Sequence, residues 1–382
     1  FHLRHTMQRR NSIIIWILVL FAFWNKNASG AHPVEHLIVI MMENRSYDHL
    51  LGYLSMQRPQ ANMDGLTGTE SNPFDPSDPN SPRITVTHNA SRIAEIDPPH
   101  TVKAASFQTF GYYDPNDGYD RTAVPPMNGF VKAGEDDHPG WGPGTMVCFA
   151  PSTLPVTTKL VEEYAVFNRW FSSVPGPTQV NRMYLHAATS NGEIHNSRDR
   201  MVQGYPQRTI FQNLEDSNVP WKIYIDPITT TLVFSQMRYP KYLARMREYK
   251  YFQEDVLNGK LDKYVVIEPA FYTWGDHHPA TDMHPGHDMA EGERLIKEVY
   301  ELIRNSKYWE KSAILITFDE HGGFFDHVPP PMQGVPNPDG INSDGGPNFA
   351  FDRLGQRVPT ILISPRVKKG SVIGAPSSGQ WE

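Results

Sequence analysis

The chain has 382 residues, 39% hydrophobic, 12% aromatic and 20% charged, with 33 Pro and 28 Gly. That apolar and aromatic content excludes a disordered chain and allows one large α/β domain. A net charge of −7 excludes the broad basic face of a dedicated nucleic-acid binder.

The first feature along the chain is a processing signal. Arg9 and Arg10 precede the apolar run 12–24, and Ala28-Ser29-Gly30-Ala31 follow it, the pattern of a secretory signal. The run falls short of the ~20 residues of a comfortable membrane span; an uncleaved anchor is the alternative. Residues 1–30 are therefore expected to be leader and signal peptide, and the protein secreted. Sequons stand at Asn27, Asn44 and Asn89. The first leaves with the signal and the second belongs to the candidate site below, so Asn89 is the expected glycan position.

Residues 34–42, VEHLIVIMM, read as a strand buried on both faces, as in a parallel sheet. Residues 56–150 are rich in Pro, Asp, Asn and Gly and read as long ordered loops. A short helix is predicted over 156–164, a strand over 165–171 and, after Pro175-Gly176-Pro177, a helix over 178–189. WKIYI (221–225) and YVVIE (264–268) are strand candidates. An apolar stripe through Leu295, Ile296, Val299 and Ile303 predicts a helix over 289–304. Residues 313–318 form another buried strand, 321–350 a Pro/Gly-rich loop, and 358–364 a last strand. Strands alternating with helices imply βαβ units and a mostly parallel sheet.

Three features carry chemistry. Glu43-Asn44 and Asp319-Glu320 each follow a buried strand directly, the place where open α/β sheets bind ligands. Three carboxylates and an amide oxygen suit a hard divalent cation; helix caps or solvated strand ends are the alternative. Thr178 opens a helical segment, so it is either an N-cap or a hydroxyl nucleophile at an anion-binding helix end beside a metal. Histidines are dense: His277, His278, His284 and His287 lie near Asp282 and Asp288, His100 ends DPPH, and His321 and His327 bracket HGGFFDH. Imidazoles there can bind metal, contact a phosphoryl oxygen or protonate a leaving group. The single cysteine, Cys148, excludes an intrachain disulfide and reads as a small buried hydrophobe.

The strings MMENRSYDHLLG (41–52), PGPTQVNRMYLHAATSNG (175–192), TDMHPGHD (281–288) and TFDEHGGFFDHVPPP (317–331) resemble the phosphoesterase family of bacterial phosphatidylcholine-hydrolysing phospholipase C, plant non-specific phospholipase C and a bacterial acid phosphatase. The resemblance runs from about residue 34 to the end. It implies an alkaline-phosphatase-like three-layer α/β/α sandwich and phosphoester hydrolysis through a covalent phospho-enzyme. It also implies Glu43, Asn44, Asp319 and Glu320 as ligands of a divalent metal (Ca, Mg, Zn, Mn or Fe), Thr178 as nucleophile, and His100 and His284 at the phosphate or leaving group. Asn181 and Arg182 match the motif's downstream pair, with a structural or phosphate-facing role, and Asp282, His287 and His321 complete the set as candidate substrate-binding residues. The implied substrate is a phospholipid or another phosphate ester, met transiently at a membrane or lipid interface; no nucleic-acid or protein partner is implied. A phosphatase acting on small monoesters and an inactive secreted lipid- or phosphate-binding fragment are the alternatives. Thr281 departs from the family's frequent Asn, and Met283 and Gly286 vary neighbouring positions. Phospholipase C members continue beyond Glu382, so residues 31–382 are expected to be a catalytic domain lacking its C-terminal part.

Overall fold

A computed structural model describes residues 34–58, 61–275 and 278–374. The expected signal peptide and His277 lie outside the described residues. Ten strands occur there: β1 (His36–Met42), β2 (Ser71–Pro73), β3 (Arg83–Thr85), β4 (Ala165–Phe167), β5 (Trp221–Ile225), β6 (Met246–Glu248), β7 (Tyr264–Ile267), β8 (Ser312–Phe318), β9 (Ile361–Ile363) and β10 (Ser371–Ile373). Eight form one sheet in the order β10-β4-β9-β8-β1-β7-β5-β6. Only β9 runs against its neighbours, so the sheet is mostly parallel, as expected.

The apolar runs become the central strands because both faces of a parallel sheet are covered. On β7, Val265 and Ile267 face one core cluster while Val266 faces the other. The first cluster joins the sheet to the helices Pro155–Glu163, Phe252–Leu257 and Met289–Arg304. The second joins it to Thr178–Ala187 and Ile210–Asp216. The result is three layers, α/β/α. Asp288 caps the 289–304 helix by accepting from the Ala290 N–H, and Leu295, Ile296, Val299 and Ile303 are its buried stripe.

Three expectations change. The strand predicted over 165–171 ends at Phe167, and that over 358–364 is confined to Ile361–Ile363. Residues 56–150 are not loops alone: β2 and β3 pair antiparallel, and Val102–Phe110 and Phe130–Asp137 are helices. The β2–β3 pair and the 130–137 helix pack on an apolar cluster that holds Met127, Phe130, Met146, the buried Cys148 and Phe325, whereas the 102–110 helix places Val102 with Val174, Val180 and Phe349, and Phe110 with Tyr119 and Met332. Short helices show too little periodicity to be read singly. The boundary signals at 102–110 were nonetheless present: Thr101 caps by accepting from Ala104, and Gly111 closes the helix at φ 75°. Among the described residues, no helix is long and apolar enough to cross a membrane.

Candidate active site at the carboxyl ends of β1 and β8

β1 and β8 are parallel neighbours with Met42 opposite Phe318, so Glu43-Asn44 and Asp319-Glu320 leave the sheet side by side. The Asn44 N–H donates to Asp319 Oδ1 at 3.1 Å. Asn44 sits at φ 57°, a left-handed conformation that Asn tolerates better than most residues. The chain after β8 turns through Gly322 at φ 63°, where a Cβ would lie 2.2 Å from the Asn44 carbonyl oxygen. Glycine there lets the two strand ends approach.

Thr178 is the first residue of its helix, and the residue before it, Pro177, occupies the cap position. Its side chain makes no capping bond; Oγ1 instead donates to Asn44 Oδ1 at 3.3 Å. The N-cap alternative is therefore not what this structure holds. Asn181 fixes the Pro-Gly-Pro turn ahead of the helix: Oδ1 accepts from the Val174 N–H, and Nδ2 donates to the Val174 and Gly176 carbonyls. Arg182 faces the strand ends. Its Nε donates to Asp319 Oδ2 at 3.1 Å, and its Nη2 lies 3.2 Å from Glu43 Oε1 while donating to the carbonyls of Met41 and Met42. Both side chains, expected to be structural or phosphate-facing, make these contacts within the protein.

His100 Nδ1 donates to the Pro98 carbonyl, which turns Nε2 toward Asn44 Nδ2 at 3.5 Å and Glu320 Oε1 at 3.8 Å. His321 is fully buried between Gln108 Oε1 at 2.7 Å and Glu320 Oε2 at 3.3 Å, so it braces Glu320. Asp282 joins the group through its carbonyl, which accepts from the Glu43 N–H. Its Oδ1 accepts from the His284 N–H and lies 2.7 Å from His287 Nδ1. His284 donates from Nδ1 to the Pro285 carbonyl and holds Nε2 4.0 Å from Asp97. Asp97 and Gln108 escaped the sequence reading. Asp97 had a local signal, since it opens the DPPH segment; Gln108 had none, because 213 residues separate it from His321.

The electrostatics are those of crowded buried acids. Burial pushes Glu43 well above the usual carboxylate range; Arg182 opposes this, and Asp319, Asp282 and Glu320 add to it. Burial likewise lifts Asp319 to about 6 against Arg182. Burial also acts to raise Glu320, yet His100, His321 and the Gly322 N–H hold it below its ordinary value. Burial disfavours protonation of His100, but Glu320 and Asp97 outweigh it and its pKa is raised. Glu320 Oε1 and Asp282 Oδ2 are buried without a hydrogen-bond partner. An excess of buried carboxylate with orphaned oxygens fits a divalent cation.

Among the described residues, Asp48, Asp326 and His327 are the one group whose candidate ligand atoms all lie within 4.8 Å of one another. A guanidinium already occupies that group. Arg357 pairs with Asp48 at 3.1 Å and with Asp326 at 2.9 Å, and His327 Nδ1 is 2.6 Å from Asp48. The remaining oxygens accept from the backbone of Asp48, His327 and Val328. We read it as an ion-pair network joining the start of the 48–52 turn to the 321–350 loop. Burial acts against charging His327, but Asp48 and Asp64 raise its pKa to about 10. A raised histidine pKa stabilises the fold fully below the unfolded value of about 6.5, and that stability is lost as pH rises through about 10. The unfolding free energy of the native chain, from urea titrations, should thus fall between pH 7 and pH 10 by on the order of 2–3 kcal/mol. His327→Gln should be less stable at pH 6 and flat across that window. An unchanged slope in His327→Gln would assign the titration elsewhere.

Compared with known protein families, residues 34–378 match the Phosphoesterase family. The chain belongs to this family. It is 46% identical over 356 residues to non-specific phospholipase C1 of Arabidopsis thaliana, covering 92% of this chain and 65% of the relative. It is 29% identical over 392 residues to phospholipase C B of Mycobacterium tuberculosis, covering 89% and 71%. The chain thus spans about two thirds of the length of the curated relatives it matches. Solved structures that align with it include a protein of the alkaline phosphatase superfamily from Vibrio parahaemolyticus, at 12% identity and a TM-score of 0.33 over 57% of this chain and 56% of that one. In this family member three of the four strings singled out in the sequence supply the two strand ends and the helix start of the candidate site, and 281–288 supplies a loop beside them.

Proposed function

We propose that this phosphoesterase cleaves the phosphodiester of glycerophospholipids in the manner of a phospholipase C, with Thr178 as nucleophile. The observation that carries the proposal is the Thr178 hydroxyl, at the start of a ten-residue helix and bonded to Asn44 between two acidic strand ends. The relatives named phospholipase C support the substrate class. The positive end of the 178–187 helix favours a phosphoryl group beside Thr178. Thr178 Oγ gives its proton to solvent and forms a bond to phosphorus as the bond to the diacylglycerol oxygen breaks. His284, with Nδ1 held by Pro285 and Nε2 open, gives the departing oxygen its proton. Water then adds its hydroxyl to the phosphorus of this threonine phosphodiester, which still carries the head group, and its proton to Thr178 Oγ. This releases the phosphorylated head group and restores the hydroxyl; His284 regains its proton from solvent. His100 Nε2 and Asn44 orient the phosphoryl oxygens. Asn181 and Arg182 act as positioning residues, one for the turn before Thr178 and one for the carboxylates.

Glu43, Asn44, Asp319 and Glu320 are the residues that would hold a divalent metal. When bound it would lower the pKa of a nearby hydroxyl and neutralise charge on phosphoryl oxygens. The oxygen-rich set favours Ca²⁺ or Mg²⁺, and His100 beside it admits Zn²⁺, Mn²⁺ or Fe. Secretion follows as part of the same reading, with Asn89 as glycan acceptor; Asn89 is exposed, whereas the Asn44 sequon is buried.

The test is product analysis on phosphatidylcholine micelles, with and without chelator, beside p-nitrophenyl phosphate. Diacylglycerol and phosphocholine, lost on chelation and restored by one divalent ion, are the expected result. Hydrolysis of the aryl monoester alone would move the assignment to a phosphatase of small substrates.

A further inference from the structure

A cavity of about 580 Å³ opens beyond the ends of β5, β6 and β7, on the far side of β7 from the site at β1 and β8. Glu268, directly after β7, lines it and also faces Arg182 of the site. Exposed apolar side chains lie on its lining or next to lining residues. Trp274 lines the cavity and is 53% exposed; Tyr272, 60% exposed, stands against it with ring centroids 6.4 Å apart. Ile228, 48% exposed, follows the lining residue Pro227, and Tyr251, 36% exposed, follows Lys250. Folding stability does not require aromatic rings at loop tips, where they leave apolar area in water.

The charges at this mouth are paired among themselves. His278 lies 2.7 Å from Asp226, Lys250 lies 2.6 Å from Glu248, and Arg294 lies 2.8 Å from Glu291. A rim with its titratable groups paired and no basic excess gains little from a polyanion and suits a surface carrying both signs. Tyr and Trp have an apolar body with a polar tip and settle at the headgroup level of a bilayer.

We propose that the Ile228–Tyr251–Tyr272–Trp274 rim is the surface on which this protein docks to a zwitterionic phospholipid bilayer. This rests on the phospholipase reading, because the bilayer would present the substrate at the same end of the sheet as Thr178. Docking buries the four side chains at the headgroup boundary and sets the cavity mouth against the lipid.

The experiment measures binding of the full chain to phosphatidylcholine vesicles by co-sedimentation, with chelator present so that no substrate is consumed. Binding is expected, and Tyr272→Ser with Trp274→Ser should weaken it about tenfold or more, since two interfacial aromatics are removed. Both positions are exposed, so circular dichroism should match that of the native chain. Should the double variant fold poorly, brominated phosphatidylcholine provides a second readout. It should quench tryptophan fluorescence of the native chain more than that of Trp274→Phe. Equal binding of native and variant proteins overturns the proposal. So does binding that requires anionic lipid, or a dimer in solution that buries the rim. None of these outcomes depends on turnover, so the docking surface and the reaction fail separately.

Discussion

Thr178→Ala should lower kcat on a phosphodiester by at least about a thousandfold, the effect of removing an attacking hydroxyl. Its effect on stability should be small, about 1 kcal/mol, because the lost contact is one neutral hydrogen bond to Asn44 at 3.3 Å. Thr178→Ser should recover much of the rate, since it restores the oxygen at the same atom. Steady-state kinetics and urea denaturation on the same preparations separate the two effects. Acid-quenched native enzyme should yield a Thr178 peptide heavier by the phosphorylated head group, phosphocholine for phosphatidylcholine, and the Ala variant should not. A Thr178→Ala protein with normal turnover would remove the nucleophile from the mechanism. A large fall in stability with a small fall in rate would instead indicate a structural hydroxyl.

Arg182→Met should be the most destabilising change at the site. The side chain is buried and supplies a cation to both Glu43 and Asp319. Methionine matches the aliphatic length but leaves two carboxylates facing each other in a dry environment. Breaking a buried pair in this way costs roughly 3–5 kcal/mol. Loss of Arg182 also raises Glu43 and Asp319 further, because Arg182 is what opposes burial at each. The penalty should therefore shrink as pH falls and the carboxyls protonate. Denaturation midpoints at pH 5 and pH 8 would show this. The outcome also discriminates between roles. A phosphate-binding arginine would raise KM and leave stability alone; a positioning arginine lowers stability and kcat together, and Arg182→Lys restores only part, since a single ammonium cannot bridge both acids and the Met41 and Met42 carbonyls.

Sequence alone was enough to place the framework of the site. The unbroken apolar runs 34–42 and 313–318 had to be strands buried on both faces, and helical spacing from Met289 to Arg304 had to cover one side of them. Local rules govern such elements, and the acids directly after the two strands were therefore placed at the carboxyl edge of a sheet before any contact was known. Partnership was not legible. Segments near 43, 100, 178, 282 and 319 meet only because β1 and β8 are sheet neighbours and the 178–187 helix crosses their ends. The roles of Arg182 and Asn181 turned on hydrogen-bond direction, which spacing does not encode. Thr178 read more readily as a cap than as a nucleophile from its local sequence, whereas the structure puts Pro177 in the cap position and turns the hydroxyl to Asn44. The helices at 102–110 and 130–137 were hidden for a related reason. They are short, and their stability comes from distant apolar partners, Met146 and Phe325 for Phe130 and Val174, Val180 and Phe349 for Val102, contacts that close only when distant parts of the chain have folded together.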